Sequence, residues 1–305
     1  MTAAAGLVIY AAALTWWFPP LLQRVTGHGC VPRLSMLAWL ATLAMALTAW
    51  VLAVAAAAMA VLGAFLDGTV LTLCLDLLGL VYEPALPAPG IPAVLTALAV
   101  GVTGVTTVRV VNAYRRLHHI SGEHARSVRI VGSPTDRSDV VIVQSNRPAA
   151  YCVAGRPPTI VVTTAAVRAL TDRQFAAVLA HESAHLQGCH HQILMGLRAL
   201  ALTVPRLPLF AAAAAAAQQL LEMCADDNAA RHHGIRPLVE GLAALAGCPA
   251  QPTALGAADT AVTARVNRLI SGNGHRQRRR HRIVLSVTIG ATVFGPAIIG
   301  VLCQH

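Results

Sequence analysis

The chain has 305 residues, of which 56% are hydrophobic and 12% charged, with a formal net charge of +10. That charge density is about half the ~25% usual in soluble domains. Disorder, which needs low hydrophobicity and high net charge, is excluded. All 23 basic residues are Arg, so Schiff-base, Walker-type and Ser-x-x-Lys chemistry is excluded as well.

The first predicted element is an uncharged transmembrane helix over 1–23. It lacks the basic leader of a signal peptide, and Arg24 follows rather than precedes it. A second span over 34–66 carries no formal charge and is long enough to tilt or project. Residues 67–90 form an extracytoplasmic loop. Within it, 68–82 is apolar but short and holds Asp76, costly at mid-bilayer, so it is read as interfacial or re-entrant. Pro87, Pro89 and Pro92 push the third span to 91–111, and a fourth occupies 283–302.

Arginine placement orients these spans. Arg24 and Arg33 lie in the first connection, Arg109, Arg115 and Arg116 follow the third span, and the His275–Arg282 run precedes the fourth. The acidic residues Asp67, Asp76 and Glu83 lie in the second connection. The positive-inside rule then puts the N-terminus outside and residues 112–282 in the cytoplasm of a plasma (inner) membrane. The Arg-only composition and abundant Ala point to a bacterium with a GC-rich genome. The Arg276–Arg282 run abuts an apolar 20-mer and has no interleaved aromatics, so it is read as a membrane anchor, with no direct nucleic-acid binding.

Within 112–282, Val128–Val131, Val140–Val143, Ala149–Val153 and Thr159–Thr163 read as four short strands of a small sheet. Thr171–Gln174 is a capping-box pattern that opens a helix, which Gly188 ends. A second helix starts at Pro208, runs through the Ala211–Ala217 stretch to about His232, and takes Gly234 as its C-cap. The apolar stretch 193–221 is interrupted by Arg198, Pro205 and Arg206 and reads as buried core touching the membrane surface. A third helix covers Asp259–Ser271. The fold class is an α+β membrane protein with about four transmembrane helices and a mainly helical domain carrying a small β-sheet. Seven Cys are scattered without a CxxC pair, so reduced thiols are expected.

The chemistry sits in His181-Glu-Ser-Ala-His185. Residues four apart on a helix share a face, so two imidazoles there can grip one Zn²⁺. Glu182 lies about 100° round the helix, placed to act on water rather than to ligate. From the chain's His and Glu content, a chance HExxH is expected on the order of 0.01 times. Glu222 is the candidate third ligand, leaving one position open for water. Asp226 lies four residues on, on the same face, suited to accept the free N–H of a ligand imidazole. Two of the five Glu in the chain fall in this constellation. His190 and His191 follow Gly188 and read as solvated, and His118, His119 and His124 have no ligand spacing to an acid. Cys224 is two helical positions from Glu222 and points away.

In Ala149–Gly155, Val178–Leu186, Glu222–Asp226 and Arg265–Leu269 the chain resembles the BlaR/MecR-type integral membrane zinc metallopeptidases. These are relatives of the membrane prenyl-protease and heat-shock protease group. The resemblance covers roughly 125–282. It implies a gluzincin-type domain with one Zn²⁺ per chain on His181, His185 and Glu222 and with Glu182 as the catalytic base. It also implies a strand over 149–153 that holds an extended substrate by edge pairing. Tyr151, His232 and His233 are candidates for oxyanion or substrate contacts. The expected activity is endoproteolysis of a cytoplasmic or membrane-associated protein, with a winged-helix repressor of the BlaI/MecI kind as the implied substrate. Sensor members of the family carry an extracellular penicillin-binding domain. A chain without Lys and with so short a segment after the fourth span is expected to lack it. The alternatives are a membrane-protein quality-control protease and a non-catalytic receptor or scaffold with a structural zinc. The expected partners are a protein substrate and the lipid bilayer, and the chain is compatible with a homo-oligomer.

Overall fold

The computed structural model describes residues 3–27, 29–65, 90–246, 255–271 and 274–302, so the segment expected at 68–82 lies outside them. Four helices, α1 (Ala3–Trp16), α2 (Phe18–Thr26), α3 (Pro32–Phe65) and α4 (Gly90–Val131), precede a small sheet. Its strands are β1 (Ser133–Pro134), β2 (Val140–Val143), β3 (Ala150–Val153) and β4 (Thr159–Thr163). Then come α5 (Thr164–Ala169), α6 (Asp172–Gln187), α7 (His190–Thr203), α8 (Pro208–His233), α9 (Ile235–Ala246), α10 (Leu255–Ser271) and α11 (His275–Leu302).

Among the described residues two helices are long and apolar enough to cross a membrane, Pro32–Gly63 and Ile91–Val131. The count is three if α1 and α2 together are one span. The expected first span is therefore not a single straight helix: α1 and α2 meet at a 45° bend. Pro19 and Pro20 open α2 and have no N–H to continue the ladder from α1, which breaks it there. At ~1.5 Å per residue α1 alone is too short for a bilayer core of about 30 Å. The segment expected as a fourth span forms the C-terminal part of α11, which is not among the helices that pass the same test.

The strand expected at Val128–Val131 is a correction, because these residues are the last turn of α4. A helix already running adds one hydrogen bond per residue without a new nucleation cost, and this outweighs a short β-branched preference. Val128 and Ala125 use that turn to pack on Val141, Val153 and Val161, one face of the sheet. Gly132 N–H closes the helix on the Val128 carbonyl at 2.8 Å, leaving β1 only two residues.

The strand order is β1-β2-β4-β3, with β2 and β4 parallel and the outer pairs antiparallel. β3 is thus an edge strand. Successive residues alternate faces. Val140, Cys152, Ile160 and Val162 pack under Leu179 of α6, while the alternate set faces α4.

Much of the stretch 193–221 contributes to the core, although Leu202, Pro205 and Arg206 are exposed. Leu197 of α7 and Leu209, Phe210, Ala213, Ala217, Leu220 and Leu221 of α8 join one cluster with Leu14, Trp39, Leu43 and Leu285. This cluster runs through α1, α3 and α11, so α8 is seated against the apolar helices by its Ala-rich half. The Tyr10 hydroxyl donates to the Thr292 carbonyl, and Trp39 Nε1 donates to Thr26 Oγ1 at 3.2 Å. Helix α9 had no counterpart in the sequence reading. Its buried Leu238 packs with Ala177, Ala229 and Leu269, tying α6, α8 and α10 together.

Candidate metal centre

Helix α6 is fixed at its start by the expected capping box: Thr171 N–H donates to Gln174 Oε1 at 3.0 Å. Gln174 Nε2 in turn donates to Glu240 Oε2 at 3.2 Å, anchoring the same turn to α9. With the helix set in this rotation, Ala177, Val178, His181, Glu182, Ala184 and His185 all face inward. Helix α8 packs alongside and presents Glu222 to both imidazoles.

The three candidate ligand side chains form a triangle, with one ligand atom from each all within 4.8 Å of one another. His181 Nε2 and His185 Nε2 are 3.2 Å apart. Glu222 Oε2 lies 3.5 Å from His181 Nε2, and Oε1 lies 3.4 Å from His185 Nε2. Three atoms held 2.0–2.1 Å from one ion at tetrahedral angles are about 3.3 Å apart. The two imidazole nitrogens match that spacing and each lies at a similar distance from one Glu222 oxygen, so the three side chains together could hold one tetrahedral zinc and leave a position for another group.

One flank of the triangle is charged. Asp226, fully buried, has Oδ1 3.1 Å from His181 Nδ1, a close contact rather than an aligned hydrogen bond. Arg265 of α10 donates to both Asp226 oxygens, at 2.8 and 2.6 Å, and places Nη1 3.0 Å from Glu222 Oε2. Arg268, one turn on, donates to Asp227 at 2.8 Å and to the Met223 carbonyl at 3.2 Å. Burial disfavours a charged His181, but Asp226 and Glu222 outweigh it and hold the imidazole up at about 9. Burial would raise Glu222, yet His181 and Arg265 hold it down at about 2.

The other flank is neutral. His185 Nδ1 lies 2.9 Å from His190 Nδ1, the rings edge-on at 90°. Burial pushes His185 down to about 3. His190 is buried, which corrects its reading as a solvated residue, and His191 is half-buried with Nδ1 3.8 Å from Cys152 Sγ.

Glu182 sits beside Cys152 of β3, and burial pushes its carboxyl up to about 7. β3 therefore lines the centre with its Cys152 face. Tyr151, on the opposite face, is exposed, stacked on His124 with its hydroxyl 3.3 Å from the ring Nε2. His232 and His233 line a surface cleft with Asp172, Arg173, Ala176 and Pro237. Ten helical residues separate His232 from Glu222, about 15 Å along α8. None of these three is brought to the triangle. Cys224 is buried away from it.

The sequence reading missed His190, Arg265 and Cys152 as site residues. Arg265 stood in a stretch quoted for its resemblance, but its partner lies 39 residues earlier, and nothing local marks one Arg among 23.

Residues 112–246 match Peptidase family M48, a family of zinc metallopeptidases. The match carries no BlaR/MecR-type subfamily with it. No curated protein and no solved structure matches the chain.

Proposed function

We propose that the chain is an integral membrane zinc endopeptidase of the BlaR/MecR type. One Zn²⁺ sits on His181, His185 and Glu222, Glu182 is the general base, and Asp226 orients His181. The observation that carries this is the cluster of His181, His185 and Glu222, one ligand atom from each within 4.8 Å of the others, with the buried carboxyl of Glu182 at the next helical position. The match of 112–246 to a metallopeptidase family supports it.

When bound, zinc supplies Lewis acidity, polarising the scissile carbonyl and lowering the pKa of water to about 7. Glu182 takes the proton of the attacking water and hands it to the leaving amine, and its raised pKa puts both transfers near neutral pH. The Arg265–Asp226 pair holds the His181 ring in one orientation. The substrate lies extended along β3, whose second edge is free of strand partners among the described residues. Main-chain pairing there brings a peptide bond past Cys152 and Glu182.

The protein crosses the inner membrane four times with its N-terminus outside, and the peptidase domain acts at the cytoplasmic face on a protein such as a winged-helix repressor. The distribution of Arg around the apolar segments supports this orientation.

Two measurements test the proposal. Cleavage of a cytoplasmic-domain substrate is followed with wild type, chelated protein and Glu182→Gln. Loss of activity in the last two, with zinc retained in Glu182→Gln, is expected; an active Glu182→Gln overturns the mechanism. For topology, Cys152 is buried and a poor probe, whereas Cys189 is exposed. With Cys74 and Cys303, both expected outside, replaced by Ser, a membrane-impermeant thiol reagent should label Cys189 only after permeabilisation, and labelling of Cys189 in intact cells overturns the orientation.

A further inference from the structure

We infer that His190 is a positioning residue of the metal centre, holding His185 in the tautomer and ring orientation that present Nε2 to the ion. The inference rests on the reading of His185 as a ligand. The two nitrogens of an imidazole divide the work: the hydrogen bond made by one fixes which lone pair the other offers. In His185, Nε2 faces His181 and Glu222, while Nδ1 faces His190 Nδ1 at 2.9 Å. For Nε2 to carry a lone pair, the His185 proton sits on Nδ1 and His190 Nδ1 accepts it. The edge-on arrangement of the rings, at 90° with centroids 4.8 Å apart, puts the His190 ring edge against that nitrogen.

The local backbone is shaped around this contact. Helix α6 stops at Gly188, the chain reverses at Cys189, and His190 opens α7. Cys189 adopts φ 52° and ψ 32°, a left-handed conformation uncommon and costly for a residue with a Cβ. That single residue turns His190 back over the end of α6. Gly188 is itself in an ordinary right-handed conformation, with φ −80°, so its backbone does not require glycine. Space does: a Cβ there would come within 2.4 Å of His190 Nε2 and 2.6 Å of Cδ2. Glycine at 188 and the strained turn at 189 both serve to seat the His190 ring.

The test uses full-length protein in detergent. Zinc affinity is measured by chelator competition, and the visible spectrum of the Co²⁺-substituted protein reports ligand geometry. His190→Phe keeps the volume and removes the hydrogen bond. His190→Asn keeps a polar group near the Nδ1 position and loses volume. Gly188→Ala displaces the ring without changing it. His190→Phe and Gly188→Ala should lose about 10- to 100-fold in zinc affinity and shift the Co²⁺ bands, and His190→Asn should retain most of the affinity. A wild-type affinity and spectrum in His190→Phe overturns the inference, as does an equal loss in His190→Asn. His185→Ala separates the two levels. If it alone abolishes binding, the ligand reading stands and only the role of His190 falls. If His185→Ala binds zinc as wild type does, the ligand reading itself is wrong.

Discussion

His181 and His185 are four residues apart on one helix, yet their surroundings are opposite. Behind the Nδ1 of His181 stands a charge pair, Asp226 held by Arg265. Behind the Nδ1 of His185 stands a second imidazole, while Glu222 faces the Nε2 of both rings. The first arrangement resists loss of a charge, and the second resists gain of one. Two imidazoles identical in type are thereby set in different electrostatic surroundings, and the difference originates outside the HExxH sequence.

The comparison can be broken at several points. The largest effect belongs to the group that stands between the flanks. Glu182→Gln should lower the rate of peptide hydrolysis by about 10²- to 10⁴-fold at unchanged zinc content, read by metal analysis beside a cleavage assay. Next is the charged flank. Asp226→Asn removes a fully buried charge and leaves Arg265 with Glu222 alone, at a cost of up to about 3–5 kcal/mol, measured as a lower denaturant midpoint. The double variant Asp226→Asn/Arg265→Met should recover part of that loss, because the uncompensated charge is then gone. Recovery of nothing would mean that the flank is not held by this pair. Smaller again is the anchor that rotates α6 into place. Gln174→Ala removes a cap and the link to Glu240 and should cost on the order of 1 kcal/mol in thermal or denaturant unfolding.

The smallest effect sharpens the contrast by setting the same pair chemistry in solvent. Arg137 and Asp139 form a two-pronged pair at 3.0 and 2.7 Å with both side chains well exposed. The Arg137 hydrogen bond holds the Asp139 carboxyl below its ordinary value. The stability this confers is present above about pH 4, the unfolded Asp value, and is lost as pH falls through the depressed folded value. Exposed pairs are worth about 0.2–1 kcal/mol. The stability difference between wild type and Asp139→Asn should therefore be small at neutral pH and vanish in acid.

What was legible in the sequence follows from how local each signal is. The HExxH spacing needs only a helix, and the Thr171–Gln174 cap and the Gly234 C-cap, at φ 86°, are also settled within a few residues. Glu222 was found because an acidic residue is rare in this chain. Val128–Val131 was misread because its β-branched run sits at the end of a 42-residue helix whose momentum no four-residue window contains. His190 was misread because a glycine followed by histidines looks like a solvated turn, and only the left-handed Cys189 folds it back. Arg265 could not be paired in sequence because α9 and the segment after it separate it from Asp226.

Helix α8 gives the molecule a mechanical property. It is one unbroken rod of 26 residues, about 39 Å long. Leu209 to Leu221 packs against α1, α2 and α3, and Glu222 and Asp226 ride on the part just beyond this packed segment. Glu222 lies about 20 Å along the helix from Leu209, so a tilt of the packed segment as a whole by about 3° about Leu209 would move the Glu222 carboxylate by about 1 Å. A displacement of that size is enough to change a reaction rate by about 10²-fold. One continuous helix thus joins the apolar helices to the candidate metal ligand Glu222.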